Sequence, residues 1–108
     1  MEPFSCLAID MGAGSIRIVQ GIFTDKLTLR EIHRFDNHIE QIDGADRWNL
    51  DKITEGILFG ISKAIEESDI PIKSVGVDSW GVDFVLLGED GLPLEDAVSY
   101  RDKRTAGM

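Results

Sequence analysis

The chain has 108 residues, of which 43% are hydrophobic and 29% are charged, values that are ordinary for one small folded domain or part of one. Twenty acidic residues against eleven basic ones give a formal net charge of −9, which on average repels nucleic acids. No window approaches the ~18 consecutive apolar residues of a membrane-spanning helix. The sequence therefore predicts a soluble protein that binds neither nucleic acid nor membrane.

The N-terminal sequence MEPFSCLAID has no basic stretch followed by a long apolar segment and a small-residue cleavage site. It does not read as a secretory signal peptide, so we expect a cytoplasmic protein. The single cysteine, Cys6, has no second cysteine with which to form an internal disulfide, and this agrees with a reducing compartment.

The first elements in chain order are three predicted strands. The apolar run of residues 4–10 predicts a buried strand that delivers Asp10 at its carboxyl end. After the small-residue loop 11–15, β-branched residues over 16–23 indicate a second strand. Alternation over residues 26–35 (KLTLREIHRF) indicates a third strand, so we expect an antiparallel meander.

A helix and further strands are predicted in the second half. Residues 36–48 read as a polar connection, after which Asn49 is a good N-cap for a helix over residues 50–67. Its predicted apolar face carries Ile53, Ile57, Leu58, Ile61, Ala64 and Ile65. The run 73–78 ends at a second carboxylate, Asp78, and predicts a strand parallel to the first. Residues 82–87 predict another strand, which the turn sequence GEDGLP folds into a hairpin.

The loop after the first strand leaves two interpretations open. The segment GAGSIR has Arg17 at the third glycine position of a dinucleotide fingerprint, and a strand follows instead of a helix. It also lacks the Gly-Lys-Ser/Thr of a Walker A loop. The loop is therefore either a plain hairpin turn capped by Asp10, or a turn whose backbone amides face phosphates while Asp10 holds a magnesium ion.

Three segments together resemble the FGGY family of carbohydrate kinases, most closely its rhamnulokinase branch. They are DMGAGSIR at 10–17, VGVDSWGVDFVLL at 75–87 and SYRDKRTAGM at 99–108. The segment LTLREIHRF at 27–35 is also similar, and Trp-Gly-Val-Asp-Phe is the most specific motif. The resemblance implies an α/β fold of the ribonuclease H-like, actin-like ATPase type. The chain would be a partial first domain made of the meander, the helix, the parallel strand and the hairpin.

The resemblance also implies an activity, which is transfer of the γ-phosphoryl group of ATP to the 1-hydroxyl of L-rhamnulose with Mg²⁺. ATP would be bound by Asp10, Gly12, Ala13, Gly14, Ser15, Ile16 and Arg17, with Asp10 on the metal. The sugar would be bound by Trp80, Gly81, Asp83 and Arg101. One departure is that many members of this branch have Ser-Ser-Gly where this chain has Gly14-Ser15-Ile16, so a glycine gives way to isoleucine.

Family members are several times longer than this chain, which implies parts outside residues 1–108. The general-base aspartate is expected downstream of residue 108, and the second ATP-binding lobe is absent. No catalytic residue is therefore expected within the chain, and we predict that it is inactive on its own. An incomplete sheet would leave an open strand edge, which predicts self-association.

Three alternatives remain beside this assignment. One is another specificity of the same family, such as xylulose, fuculose, gluconate or glycerol. A second is a metal-dependent nuclease of the ribonuclease H type, with Asp10 and Asp78 in a two-metal site, although the net charge of −9 disfavours a nucleic acid substrate. A third is a module that binds a nucleotide or a partner without chemistry.

Overall fold

The computed structural model describes residues 2–37, 39–81, 83–100 and 102. Its elements are β1 (Phe4–Met11), β2 (Ser15–Phe23), β3 (Leu27–Asp36), β4 (Ile39–Ile42), β5 (Ala45–Trp48), α1 (Leu50–Glu67) and β6 (Ile72–Ser79). The main sheet has the strand order β3-β2-β1-β6. The pairs β1–β2 and β2–β3 are antiparallel, whereas β6 lies parallel to β1. The predicted meander, helix and parallel strand are confirmed.

The helix α1 has the bounds and the cap that its sequence predicts. The side chain of Asn49 accepts a hydrogen bond from the backbone N–H of Lys52 at 3.1 Å, which satisfies one of the free N–H groups of the first turn. Only part of the predicted apolar face is buried, because Leu58 and Ile65 are 57% and 64% exposed. The helix contacts β2 and β3 of the main sheet.

The core lies on the face of the sheet that α1 covers. The buried apolar side chains of the described residues are Leu7, Ile9, Ile16, Ile18, Ile32, Trp48, Ile53, Ala64 and Ala97. Side chains alternate between the two faces of a strand, so the neighbours of these residues point to the opposite face. That opposite face carries Asp10 on β1, Arg17 on β2 and Asp78 on β6, because they stand opposite one another in the strand register.

The predicted polar connection before α1 is wrong, because it contains the β4–β5 hairpin. Asp43 and Gly44 form its turn with φ values of 51° and 80°. Two consecutive positive φ values are the requirement of a type I′ turn, for which Asp-Gly is a favoured pair. The strands that the turn joins bring Trp48 into the core, where it is fully buried.

The predicted strand over residues 82–87 is also wrong for the residues that can be described. Residues 83–86 are irregular, and the predicted hairpin shrinks to a short turn closed by the bridge between Leu87 and Pro93. The physical reason is that β6 ends at Ser79, after which the chain leaves the sheet. The backbone at Asp83 does not continue a strand, and its carboxylate accepts hydrogen bonds from two indole N–H groups.

Residues 96–100 and Asp102 lie beside β5, and Arg101 lies outside the described residues. The backbone N–H of Trp48 donates to the carbonyl of Ala97 at 2.9 Å, and that of Ser99 donates to Asp46 at 2.7 Å. The carboxylate of Asp102 accepts from the backbone N–H of Asp46 at 2.7 Å. This segment therefore closes over the hairpin. Within the described part of the chain, no helix has the length and apolar character needed to cross a membrane.

Candidate functional site

The turn between β1 and β2 is tight and is held from outside. The backbone N–H of Gly12 donates to the carbonyl of Ser15 at 2.9 Å, and a Cβ on Gly12 would lie 2.8 Å from that carbonyl oxygen. Glycine is therefore required at this position by close approach. Buried Asn37 clamps the turn, because its Nδ2 donates to the carbonyl of Gly12 and its backbone N–H donates to that of Gly14, both at 3.1 Å.

A charged row crosses the sheet directly beside this turn, and we define it by Arg17, Asp10 and Asp78. Asp10 stands opposite Arg17 in the β1–β2 register and opposite Asp78 in the β1–β6 register. The Nη2 of Arg17 donates to Oδ2 of Asp10 at 2.6 Å. Arg34 is the next residue across, on β3, but its guanidinium pairs with Glu31.

The charges of the row shift one another's pKa. The hydrogen bond from Arg17 lowers the pKa of Asp10 below its ordinary value of 3.8, and a hydrogen bond with Asp78 adds to this. Asp10 in turn raises the pKa of Arg17, so the guanidinium stays charged. The pKa of Asp78 is raised, first by its hydrogen bond with Asp10 and then by desolvation and the charge of Asp10. The row is thus a pair of carboxylates with one cation on one side only.

The residues predicted to bind a sugar lie after β6. Trp80 and Asp83 are partly buried, and Oδ2 of Asp83 accepts a hydrogen bond from Nε1 of Trp80 at 2.7 Å. Gly81 is exposed, and a Cβ built on it would have no neighbour within 4 Å among the described residues. Arg101, the fourth predicted sugar residue, lies outside the described residues.

Comparison with known proteins identifies the family of this chain. The model of the FGGY family of carbohydrate kinases, N-terminal domain, matches residues 5–108. The chain belongs to the FGGY family. The match includes both the turn with its charged row and the segment after β6, so it covers the predicted ATP side and the predicted sugar side.

Two known proteins resemble this FGGY chain, one in sequence and one in structure. It is 48% identical over 103 residues to the rhamnulokinase of Oceanobacillus iheyensis, with 94% of this chain and 22% of that protein aligned. The crystal structure of gluconate kinase from Lactobacillus acidophilus superposes with a TM-score of 0.78 at 14% identity, covering 94% of this chain and 20% of that one. This likeness confirms the actin-like ATPase fold. The chain spans about a fifth of the length of these relatives.

The residues predicted to bind ATP divide between the turn and the hydrophobic core. Gly12 and Gly14 form the turn between the strands, and Ala13 packs against the core. Ile16 is fully buried, so its side chain belongs to the core. Ile16 lies within β2, where an isoleucine side chain can pack into the core. The chain therefore accommodates isoleucine where the Ser-Ser-Gly pattern has glycine.

Two residues of the site were missed from the sequence. Asn37 clamps the turn, and Trp48 donates to Asp83 through Nε1 at 2.6 Å. Both lie in the stretch that reads as a polar connection. The Asp43-Gly44 turn signal would have found the hairpin that positions Trp48, whereas no local signal indicates the role of Asn37.

The FGGY site fits a magnesium ion that is completed by phosphates. The described residues contain no group of three or more His, Cys, Asp or Glu side chains that could hold a metal by themselves. Mg²⁺ in nucleotide sites commonly takes one or two carboxylates together with phosphate oxygens and water. Asp10 and Asp78 are such a pair, and the raised pKa of Asp78 indicates a place where added positive charge is favourable.

Proposed function

We propose that this chain forms the phosphate-facing and sugar-facing parts of an ATP-dependent kinase that phosphorylates L-rhamnulose at its 1-hydroxyl. The observation that carries the proposal is the charged row beside the clamped glycine turn, at the carboxyl ends of two parallel strands. The identity of 48% to a rhamnulokinase supports the sugar. Use of ATP is consistent with a cytoplasmic location.

On the phosphate side, the turn supplies backbone N–H groups and Arg17 supplies a permanent charge. Gly12, Ala13 and Gly14 allow the main chain to approach phosphate oxygens, and Ser15 adds a hydroxyl. Arg17 is 43% exposed in its side chain, so it can exchange its bond to Asp10 for one to a phosphate. The chain as a whole is negatively charged and repels anions. The attraction for phosphate therefore comes from these local donors.

Asp10 and Asp78 are the residues that would hold Mg²⁺, with Asp10 as the principal ligand. The ion, when bound, neutralises charge on the transferring phosphoryl group. Asp10 contributes a carboxylate whose lowered pKa keeps it ionised at neutral pH. Arg17 donates a hydrogen bond to this carboxylate and so links β2 to β1 within the row.

On the sugar side, Trp80, Gly81 and Asp83 would face the ketose, together with Arg101. Gly81 leaves open space where a side chain would otherwise stand. Trp80 offers an aromatic face to the C–H surface of a sugar. The proton of the 1-hydroxyl would be taken by an aspartate outside residues 1–108, and a second lobe would cover the adenine. The isolated chain is therefore expected to show no turnover.

The test replaces the matched segment of the Oceanobacillus iheyensis rhamnulokinase with this chain, and we call the product the chimera. ADP release is measured with L-rhamnulose, xylulose, fuculose, gluconate and glycerol. The proposal expects L-rhamnulose to have the highest kcat/KM. A folded chimera that prefers another substrate would support the alternative specificity. The likeness to gluconate kinase supports only the fold and not the substrate. Membership in a carbohydrate kinase family removes the support for a nuclease.

Self-association of the isolated chain is a separate part of the proposal. Among the described residues no strand pairs with the outer edge of β6, and Val75 and Val77 on β6 are 50% and 64% exposed. Open edges with apolar side chains pair with other strands. Light scattering of the 108-residue chain is expected to give a mass above the 12.0 kDa monomer, and a monomer at high concentration would contradict it.

A further inference from the structure

The carboxyl ends of β1 and β6 border an apolar cleft on the face opposite the charged row. Met11 and Ser79 directly follow Asp10 and Asp78, and by strand alternation they point to the other side of the sheet. Both line a cleft of about 210 Å³. One edge of the sheet therefore has charges on one face and an apolar cleft on the other.

Two indole rings form much of the wall of this cleft. The ring centroids of Trp48 and Trp80 are 4.5 Å apart with an interplanar angle of 46°. The remaining apolar lining is Leu50, Ile53, Phe84, Val85 and Ala97. Trp48 is fully buried, whereas Trp80 is partly buried.

Asp83 joins the two indoles. Its Oδ2 accepts from Nε1 of Trp48 at 2.6 Å and from Nε1 of Trp80 at 2.7 Å. An indole N–H can only donate, and a buried one without an acceptor carries a desolvation cost. A carboxylate is a stronger hydrogen-bond acceptor than a neutral oxygen. This single oxygen therefore orients both indole rings.

We propose that Asp83 is a positioning residue, and that the cleft it shapes takes the methyl-bearing end of a 6-deoxy ketose. The inference rests on the proposed function. The reacting hydroxyl of L-rhamnulose is on C1, and its methyl group is C6, at the other end of the carbon chain. A sugar whose C1 faces the charged row therefore has its apolar end available for the opposite side of the sheet edge.

The positioning role is tested on the 108-residue chain without any sugar. The chain has two tryptophans, and both are in this wall, so exciton coupling between them gives a circular dichroism signature of their arrangement. Asp83→Asn keeps an acceptor oxygen and is expected to keep the signature. Asp83→Leu removes the acceptor and is expected to abolish it, while exposed Glu89→Gln serves as the control. Retention of the signature in a folded Asp83→Leu chain overturns the positioning role.

The methyl subsite is tested in the chimera with L-rhamnulose and its 6-hydroxy counterpart, L-fructose. The ratio of the two kcat/KM values is independent of the fraction of active enzyme, because both sugars meet the same preparation. We expect a ratio of about 10 to 100 in favour of the 6-deoxy sugar, the range for one apolar group in a matching pocket. The ratio should fall toward 1 in Asp83→Leu through a higher KM for L-rhamnulose, and Asp83→Asn should retain most of it.

The outcomes separate the two proposals. A chimera that phosphorylates neither sugar contradicts the proposed function, whereas the circular dichroism result still decides the role of Asp83. An unmodified chimera with a ratio near 1, or an Asp83→Leu chimera with an unchanged ratio, overturns the methyl subsite. If Asp83→Leu does not fold, Asp83→Ala replaces it in the circular dichroism measurement, and Trp80→Phe replaces it only in the sugar measurement, because Trp80→Phe removes one of the two coupled indoles. Trp80→Phe keeps a ring and removes one N–H donor, and an unchanged sugar ratio in it equally overturns the subsite.

Discussion

Asp78 stands opposite Asp10 in the parallel pairing of β6 with β1, so two carboxylates face each other where both strands end. Arg17 compensates the charge of Asp10 from the β2 side at 2.6 Å. Asp78 carries a raised pKa, first because of its hydrogen bond with Asp10 and then through desolvation and the charge of Asp10. The pair is less stable when both groups are ionised, and this is the property expected of a site that a cation completes.

Asp78→Asn is therefore expected to raise the stability of the 108-residue chain at neutral pH. The folded state raises the pKa of Asp78, so ionisation of this group costs stability at a pH above its folded pKa, and the cost vanishes below 3.8. The gain in melting temperature should be present at pH 7 and shrink as the pH falls toward 3.8. Exposed Asp69→Asn is the control. An equal gain for Asp78→Asn at all pH values would refute the like-charge explanation.

Gly12→Ala is expected to destabilise the chain, whereas Gly14→Ala in the same turn is not. A Cβ at residue 12 meets the backbone oxygen of Ser15 at 2.8 Å, and at residue 14 it meets nothing within 4 Å. Overpacking of this kind costs about 1–3 kcal/mol, and the neighbouring change should stay within about 0.5 kcal/mol of zero. Chemical denaturation measures both, and equal effects would show that the turn does not need glycine for close approach.

Asn37→Ala should lower both stability and nucleotide affinity. Its Nδ2 donates to the carbonyl of Gly12, and a buried group that loses its partner costs about 1–3 kcal/mol. Asn49→Ala is the matched control, because loss of the helix cap costs about 1 kcal/mol and the side chain of Asn49 bonds Lys52 and Glu40 rather than the turn. Calorimetric titration of MgATP into the chimera should show weaker binding only for Asn37→Ala. Equal affinities in the two variants would remove Asn37 from the phosphate site.

Gly60→Ala reverses the usual preference of helices for alanine. In an exposed helix this change stabilises by about 1 kcal/mol, as Ser62→Ala on the same helix should do to a smaller degree. At residue 60 the new Cβ would lie 2.8 Å from Cγ1 and Cδ1 of fully buried Ile18. We expect a net loss of about 1–3 kcal/mol. Adding Ile18→Val should recover part of the loss, and a purely additive double mutant would argue against this contact.

Local signals in the sequence are sufficient for much of the sheet and for α1. The cap at Asn49 and the helical spacing predict α1 with its bounds, and the apolar runs ending at Asp10 and Asp78 predict β1 and β6. These features depend on residues close to one another in the chain, so they can be recognised before tertiary packing is known. The strand predicted over residues 82–87 is wrong for the described residues, because the local sequence does not show that Asp83 bonds two indole N–H groups, one of them 35 residues away.

The site depends on long-range pairing, which the sequence does not display. Asp10 and Arg17 are recognised as functional residue types, but only the register places them at 2.6 Å and adds Asp78 to the same row. Asn37 reaches a turn 25 residues away, and Trp48 reaches an aspartate 35 residues away. Such roles follow from topology rather than composition.

The most direct test of the phosphate site compares Arg17→Ala with Arg34→Ala in the chimera. Both arginines face the same side of the sheet, but Arg34 pairs with Glu31 and Arg17 pairs with Asp10 beside the glycine turn. The account predicts that Arg17→Ala lowers kcat/KM for ATP, with L-rhamnulose saturating, by about 100-fold, as for loss of one preorganised donor to a developing charge. Arg34→Ala should remain within about threefold of the unsubstituted chimera. Equal activity of both variants, with melting temperatures preserved, would contradict the account.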